Sequence, residues 1–389
     1  MKLPLPLGLA GMLALSLAGC ATVETVTYPP PTGAPVADGR AIATRVPARD
    51  RMLWDYRTAA TAMRRGRFAD AKALLDDAVV TLNGIYGPDR DAQKARSLFQ
   101  EESRKKFLGE PYERVMAYYY RGILYWMDGE PDNARACFRS AQLADSNLDD
   151  QSYAADYVLL DYLDGLAAAK LSADGADAYR RALAACKGEA PPAYNVRANV
   201  LFFVECGRGP AKYAAGQYGE QLRFREGPAG ARAATLKVAG QTLRALPYDD
   251  LYFQATTRGG RVMDHVLAKK AVFKSATDTV GDAAIISGAV LASHRGRNSK
   301  ADEVGAGLLL FGLASKLVSA ATTPNADTRA WDNLPQFLSF AAVTLPAGSH
   351  PVTVEFQSAT GSPLPTLTKT LTVNVVAAPR DTVVFLSDQ

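Results

Sequence analysis

The chain reads as an α+β protein: a helical first half, a strand-rich and sandwich-like second half, and an apolar helical hairpin inserted into the latter. Three observations carry this. From Asp50 to about Gly188, apolar residues recur at helical spacing. Beyond Pro191-Pro192 the period changes to short β-rich runs separated by glycine and proline. Among those runs, residues 277–321 return to long apolar segments of helical character. The boundaries that follow are 49–190 for the helical domain and 191–389 for the strand-rich domain. At roughly 150 residues per domain, each is long enough to bury a core.

The helical domain is preceded by two segments of another kind. Lys2 supplies a basic start, Leu7 to Leu17 form a short apolar run, and Leu17-Ala18-Gly19-Cys20 close it with small residues. This is the pattern of a secretory signal peptide over 1–19. The run is shorter than the roughly 20 apolar residues of a spanning helix. Leu-Ala-Gly-Cys also resembles the bacterial lipobox, which implies a palmitate-type acyl anchor on the Cys20 thiol; the alternative is an ordinary signal with a cysteine at its end. Two or more acyl chains make a firm anchor where one binds reversibly. Ala21 follows the cysteine, and by resemblance to the enterobacterial sorting pattern this favours the outer membrane, facing the periplasm. Residues 20–48 contain Tyr28-Pro29-Pro30-Pro31-Thr32-Gly33-Ala34-Pro35 and little that could form a core, so they read as a lipidated, proline-rich tether. Such a tether spans about 30–80 Å.

Within the helical half, Gly66-Arg67-Phe68-Ala69-Asp70-Ala71 with Leu75 and Ala78 forms one small-and-aromatic pattern. Gly122, Tyr125, Gly129, Ala134, Phe138 and Ala141 form a clearer one. Both resemble the tetratricopeptide repeat, in which small residues let antiparallel helices approach and aromatics fill the groove between them. Ala71 and Ala134 are almost two periods of about 34 residues apart. A third unit falls around Tyr157 to Ala185, giving a short, irregular array. Tyr118, Arg121, Tyr125 and Asp128 are the candidates for a partner-binding groove. The alternative is core packing, because this helix is apolar nearly all round.

The strand-rich half opens with the continuous apolar run Asn199 to Cys206. Further strands are expected at Gln221–Arg225, Thr235–Val238, Thr242–Leu246, Leu251–Thr257, Phe337–Leu345, Pro351–Gln357, Leu367–Val376 and Thr382–Leu386. The inserted pair, Thr277–Ser293 and Ala301–Ala321, is a buried hairpin or a membrane-touching, oligomerising one; its uncharged stretch of about 18 Å falls short of a bilayer core.

Composition narrows the chemistry. Lysine and arginine (44) nearly balance aspartate and glutamate (40), and no long run of one sign points to nucleic acid. His265, His294 and His350 are scattered, without ligands at metal spacing. Neither a Walker loop, a dinucleotide fingerprint nor a nucleophile elbow is present. No cofactor, metal or catalytic set is therefore expected. Paired acids such as Asp249-Asp250 are taken as surface residues. Besides Cys20, three cysteines remain, an odd number without framework spacing; Cys137 is expected to be a small buried residue, and a Cys186–Cys206 bridge is one alternative.

Two stretches carry more than composition. One is Val204-Glu205-Cys206-Gly207-Arg208-Gly209-Pro210-Ala211-Lys212. The other is Ala326-Asp327-Thr328-Arg329-Ala330-Trp331-Asp332-Asn333-Leu334-Pro335. They resemble a family of poorly characterised proteobacterial lipoproteins that pair a tetratricopeptide-like region with a C-terminal domain carrying Glu-x-Gly-x-x-Pro-x-Lys and Ala-Asp-x-Arg-x-Trp-x-x-Leu-Pro. Here those motif residues are Glu205, Gly207, Pro210 and Lys212, then Asp327, Arg329, Trp331, Leu334 and Pro335; Cys206 replaces an expected asparagine. The resemblance implies an envelope role and no established activity. A structural reading pairs Arg329 with Asp327, buries Trp331 and starts an edge strand at Leu334-Pro335. The alternative is a shared binding site.

The function expected from these features is a lipid-anchored periplasmic scaffold or adaptor binding an envelope protein, not an enzyme, with a homo-oligomer left open. The alternatives are an envelope enzyme acting on peptidoglycan or polysaccharide, and a structural subunit of a secretion or surface-export assembly.

Overall fold

The computed structural model describes residues 28–84, 106–146, 154–217, 219–257 and 326–389. The signal segment, Cys20, His265, His294 and the apolar pair at 277–321 lie outside the described residues. The rest is mixed, with helices first and sheets after, as the α+β reading expects.

Helices α1 (Pro35–Ala43), α2 (Arg51–Arg64), α3 (Phe68–Gly84), α4 (Pro111–Met127), α5 (Pro131–Ser146), α6 (Val158–Lys170) and α7 (Ala176–Ala185) follow in order. Each packs on the next, so α2–α3, α4–α5 and α6–α7 make three stacked hairpins. The turns within the first two hairpins carry Gly66 and Gly129 at positive φ, 65° and 83°, a conformation that costs glycine nothing. Gly122 of α4 lies flat against the Phe138 ring of α5; a Cβ there would stand 2.5 Å from Phe138 Cε1. The small-against-aromatic packing expected from the repeat offsets is present at this crossing.

α1 corrects the tether expectation for 20–48. Pro35 opens the helix at a position where its missing N–H costs nothing. The Thr32 N–H and hydroxyl donate to the Asp38 carboxylate at 3.0 and 2.6 Å. Val36 and Ala43 are buried, and Gly39 sits so close to Thr58 of α2 that any Cβ would meet its hydroxyl. A nine-residue helix is marginal alone; docking on α2 stabilises it.

The strands are β1 (Val200–Cys206), β2 (Ala211–Ala215), β3 (Gln221–Arg225), β4 (Ala233–Val238), β5 (Gln241–Ala245), β6 (Pro247–Asp250), β7 (Phe337–Val343), β8 (Gly348–Gln357), β9 (Lys369–Val375) and β10 (Thr382–Ser387). They form two four-stranded sheets, β10-β1-β7-β6 and β5-β4-β8-β9, with β2-β3 a separate ribbon. β1 pairs parallel to β10 and antiparallel to β7. Every residue of β1 is buried, because it is covered on both faces. Leu201 and Phe203 join the core shared with the helices, while Val200, Phe202, Val204 and Cys206 pack against Leu236, Val352, Val354 and Phe356 of the second sheet. The layers are therefore helices, first sheet, second sheet, and the helical and strand-rich stretches share their largest core.

Three further expectations change. Leu251–Thr257 is not a strand: Leu251–Thr256 forms a short helix, α8, because the Asp250 side chain accepts from the N–H groups of Tyr252 and Phe253 at 2.9 and 3.4 Å. Leu334-Pro335 precedes an interior strand rather than an edge, since β7 lies between β1 and β6; Pro335 sits ahead of the ladder, where no N–H is needed. Cys137, Cys186 and Cys206 are all free thiols, Cys206 facing the sandwich core and Cys186 ending beyond α7. β2 and β6 lacked a readable apolar alternation and were not expected.

Candidate functional site

Alternation along β1 turns Glu205 away from the sandwich and toward the helices, where it is 1% exposed. Its carboxylate accepts from Arg64 Nε, at the last residue of α2, at 2.5 Å, and from the Tyr120 hydroxyl of α4 at 2.6 Å. Burial is the largest single influence on Arg64 and opposes its charge, but the charge and hydrogen bond of Glu205, with Tyr120 and Asp388, together outweigh it and raise the guanidinium pKa. Burial and the Glu205 charge together push the Tyr120 phenol well up, so it stays a donor. Asp388 borders this group, accepting from the Gly207 N–H at 2.9 Å.

A second buried pair lies beside it. Gly207, with φ 69°, turns the chain out of β1, and buried Pro210 leads it into β2, which carries Lys212. Lys212 Nζ donates to Glu113 Oε2 at 2.6 Å and to the Arg329 carbonyl at 2.9 Å. Glu113 is the third residue of α4 and belongs to its capping box with Glu110, while its other oxygen accepts the Trp331 N–H at 2.7 Å. One carboxylate thus ties the start of α4 to β2 and to the 326–335 segment.

That segment is braced from both sides. Arg329 donates to Asp327, as expected, and also reaches Asp50 at 2.6 Å. Trp331, 1% exposed, stacks on Tyr56 of α2 with ring centres 4.4 Å apart. Leu334 is buried, and its carbonyl accepts the Gly209 N–H at 2.8 Å; a Cβ on Gly209 would press on the Pro335 carbonyl at 2.9 Å. All nine motif residues therefore meet at one place, the junction of α2, α4, β1 and β2. The structural roles expected for Arg329 and Trp331 are realised.

The four groove candidates are elsewhere. Tyr118 donates to Asn83 at 2.7 Å, Arg121 Nε to Asp76 at 2.6 Å, and Asp128 pairs with Lys72. Asn83, Asp76 and Lys72 all belong to α3, which covers this face of α4. Tyr125 lies under the Arg121 guanidinium, 3.5 Å away. Tyr118 and Arg121 are buried, which is the core-packing alternative. The opposite face of α4 meets the sheet through Tyr119 and Trp126, each 6.3 Å from the Phe203 ring.

Sequence reading missed Glu113 and Arg64, placed Tyr120 only in the aromatic cluster of its helix, and took Asp249 for a surface residue. Glu110-Pro111-Tyr112-Glu113 does carry a helix-start signature that singles out Glu113; nothing local marks Arg64. Asp249 is not a surface acid. It is 4% exposed, and its oxygens accept from the N–H groups of Val158 and Leu159 at 2.8 and 2.9 Å, capping α6 from another part of the chain. Burial pushes its carboxyl up to about 7. Burial likewise lifts the Cys137 thiol to about 11, which keeps it protonated at neutral pH. His350 contacts the Pro346 carbonyl at 2.9 Å. Among the described residues no three His, Cys, Asp or Glu side chains are grouped to hold a metal ion.

The arrangement can hold two halves of a protein in one geometry, with the buried Arg64–Glu205 and Glu113–Lys212 pairs running across the junction. No protein-family model matches the chain, and neither a curated protein nor a solved structure is found that matches it.

Proposed function

We propose that this chain is a lipid-anchored adaptor of the bacterial cell envelope, held through Cys20 in the outer membrane with its body in the periplasm. The observation that carries the reading is the stack of three helical hairpins mounted on a sandwich, fastened to its β1 by the buried Arg64–Glu205 pair and to the β2–β3 ribbon by the buried Glu113–Lys212 pair. Stacked hairpins present extended surfaces suited to binding other chains. A rigid base lowers the ordering cost that such a surface pays when a partner docks. The outer helices of the first two hairpins expose Val80 (72%) and Leu143 (60%), which occupy matching positions when Ala71 is aligned with Ala134. The resemblance to envelope lipoproteins supports the same reading.

The test has two parts. Cys20→Ser should move the protein from the membrane fraction to the soluble fraction with its unfolding midpoint unchanged. Photo-crosslinkers placed at positions 80 and 143 should give a discrete product with the same envelope protein from both sites, and none from position 237 on the exposed face of β4. Absence of any common product, together with turnover of a cell-wall substrate by the purified protein, would overturn the adaptor reading in favour of an enzyme.

A further inference from the structure

Beside the buried junction, the α1–α2 connection, α2, β2 and the 328–332 turn enclose a cleft of about 410 Å3, a size usual for small-molecule sites, which run from about 300 to 1,000 Å3. Its rim carries Tyr28, 55% exposed, whose ring lies 5.8 Å from the indole of Trp54 and tilted 49° to it. Val46 and Pro47 extend this apolar wall. The remaining wall is polar and its charges are paired: Arg57 donates to Asp332 at 2.9 Å, Arg329 to Asp50 at 2.6 Å, and the buried Lys212 to Glu113 behind the wall at 2.6 Å. Donors and acceptors thus stand side by side in the cleft, and each of its cations is already matched by a carboxylate.

This chemistry selects among ligands. An anion would have to displace Asp50 and Asp332 from their guanidinium groups. A wholly apolar ligand would strip water from the two ion pairs without replacing its hydrogen bonds. A hydroxyl group both donates and accepts, so it fits against an Arg–Asp pair without disrupting it. A pyranose ring combines a face of C–H groups with an edge of hydroxyls, matching the aromatic wall on one side and the paired charges on the other. We propose that this cleft binds an uncharged saccharide, a hexose or N-acetylhexosamine unit of a polysaccharide, with its C–H face on Tyr28 and Trp54 and its hydroxyls on the Arg57–Asp332 and Arg329–Asp50 pairs. The proposal goes beyond the adaptor reading and stands or falls without it.

Tryptophan fluorescence provides the test. Trp126 and Trp331 are each 1% exposed, whereas Trp54 is partly exposed and lines the cleft, so a ligand there changes chiefly the Trp54 emission. Full-length protein in detergent micelles is titrated with chitotetraose and with maltotetraose. A saturable change with either is expected, and Tyr28→Ala should weaken it about tenfold, the loss of one aromatic contact. Because Tyr28 is exposed, the unfolding midpoint should stay put. Three outcomes would overturn the proposal: no saturable change with either sugar, equal affinity in Tyr28→Ala, or tighter binding of polygalacturonate or of a proline-rich peptide, which would assign the cleft to anions or to peptides.

Discussion

The Lys212 ammonium meets the Glu113 carboxylate at 2.6 Å, and the two side chains are 1% and 0% exposed. Lys212 also donates to the Arg329 carbonyl, and Glu113 also accepts from Trp331 and Glu110. The pair is thus a joint among four pieces of chain. Removing one member of a buried pair leaves the other charged and unanswered, a loss of about 3–5 kcal/mol. Lys212→Met should lower unfolding free energy by that amount in urea titrations. Adding Glu113→Gln should restore part of it, because the stranded charge disappears while one acceptor remains. A Lys212→Met variant within about 0.5 kcal/mol of the native protein would show that the joint carries no stability.

Gly122 and Phe138 meet where α4 packs on α5. A Cβ at position 122 would lie 2.5 Å from the Phe138 ring, which is itself fully buried and cannot swing aside. Gly122→Ala should therefore destabilise by about 1–3 kcal/mol through overpacking, even though alanine is the better helix former. Combining it with Phe138→Leu should recover more stability than the sum of the single changes allows. Additivity in that double-mutant cycle would disprove the contact.

Asp249 should make stability pH-dependent. Its carboxyl is pushed to about 7 mainly by burial, against the two hydrogen bonds from Leu159 and Val158, with the charges of Asp156 and Asp145 adding to the push. The ordinary value is 3.8. Between these values the folded chain keeps a proton that the unfolded chain has lost. Its contribution is full below the ordinary value and is lost as pH rises through about 7. Asp249→Asn keeps an acceptor for α6 without the titration. Urea unfolding from acid to mildly alkaline pH should show the native protein losing ground to the variant as pH rises. A difference between the two that is constant with pH would refute this.

Much of the architecture was readable locally. The apolar run Val200–Val204 signalled a strand, and the encircling apolar surface of α4 signalled a helix without a free side; both are present, with α3 on one face of α4 and the first sheet on the other. Arg329 and Asp327 are two residues apart, so their pairing needed only a turn. The helix at Leu251–Thr256 was misread as a strand because six residues give too short a window for any period, and the deciding group was the Asp250 cap. α1 was misread because its few apolar residues gain their stability only against α2.

The sequence by itself determined that helices precede strands, the place where one period gives way to the other, and the two motifs that meet at the junction. It did so through interactions between neighbours: side-chain spacing, proline and glycine geometry, and caps within a turn. Tertiary structure alone decided that Glu205 would face Arg64 and that Lys212 would face Glu113, across separations of 141 and 99 residues. It also decided that Tyr118 and Arg121 would be sealed under α3. The physical reason is that a charge in a chain has no partner until packing removes water around it and brings a distant residue within hydrogen-bond reach, and no local spacing encodes which residue that will be.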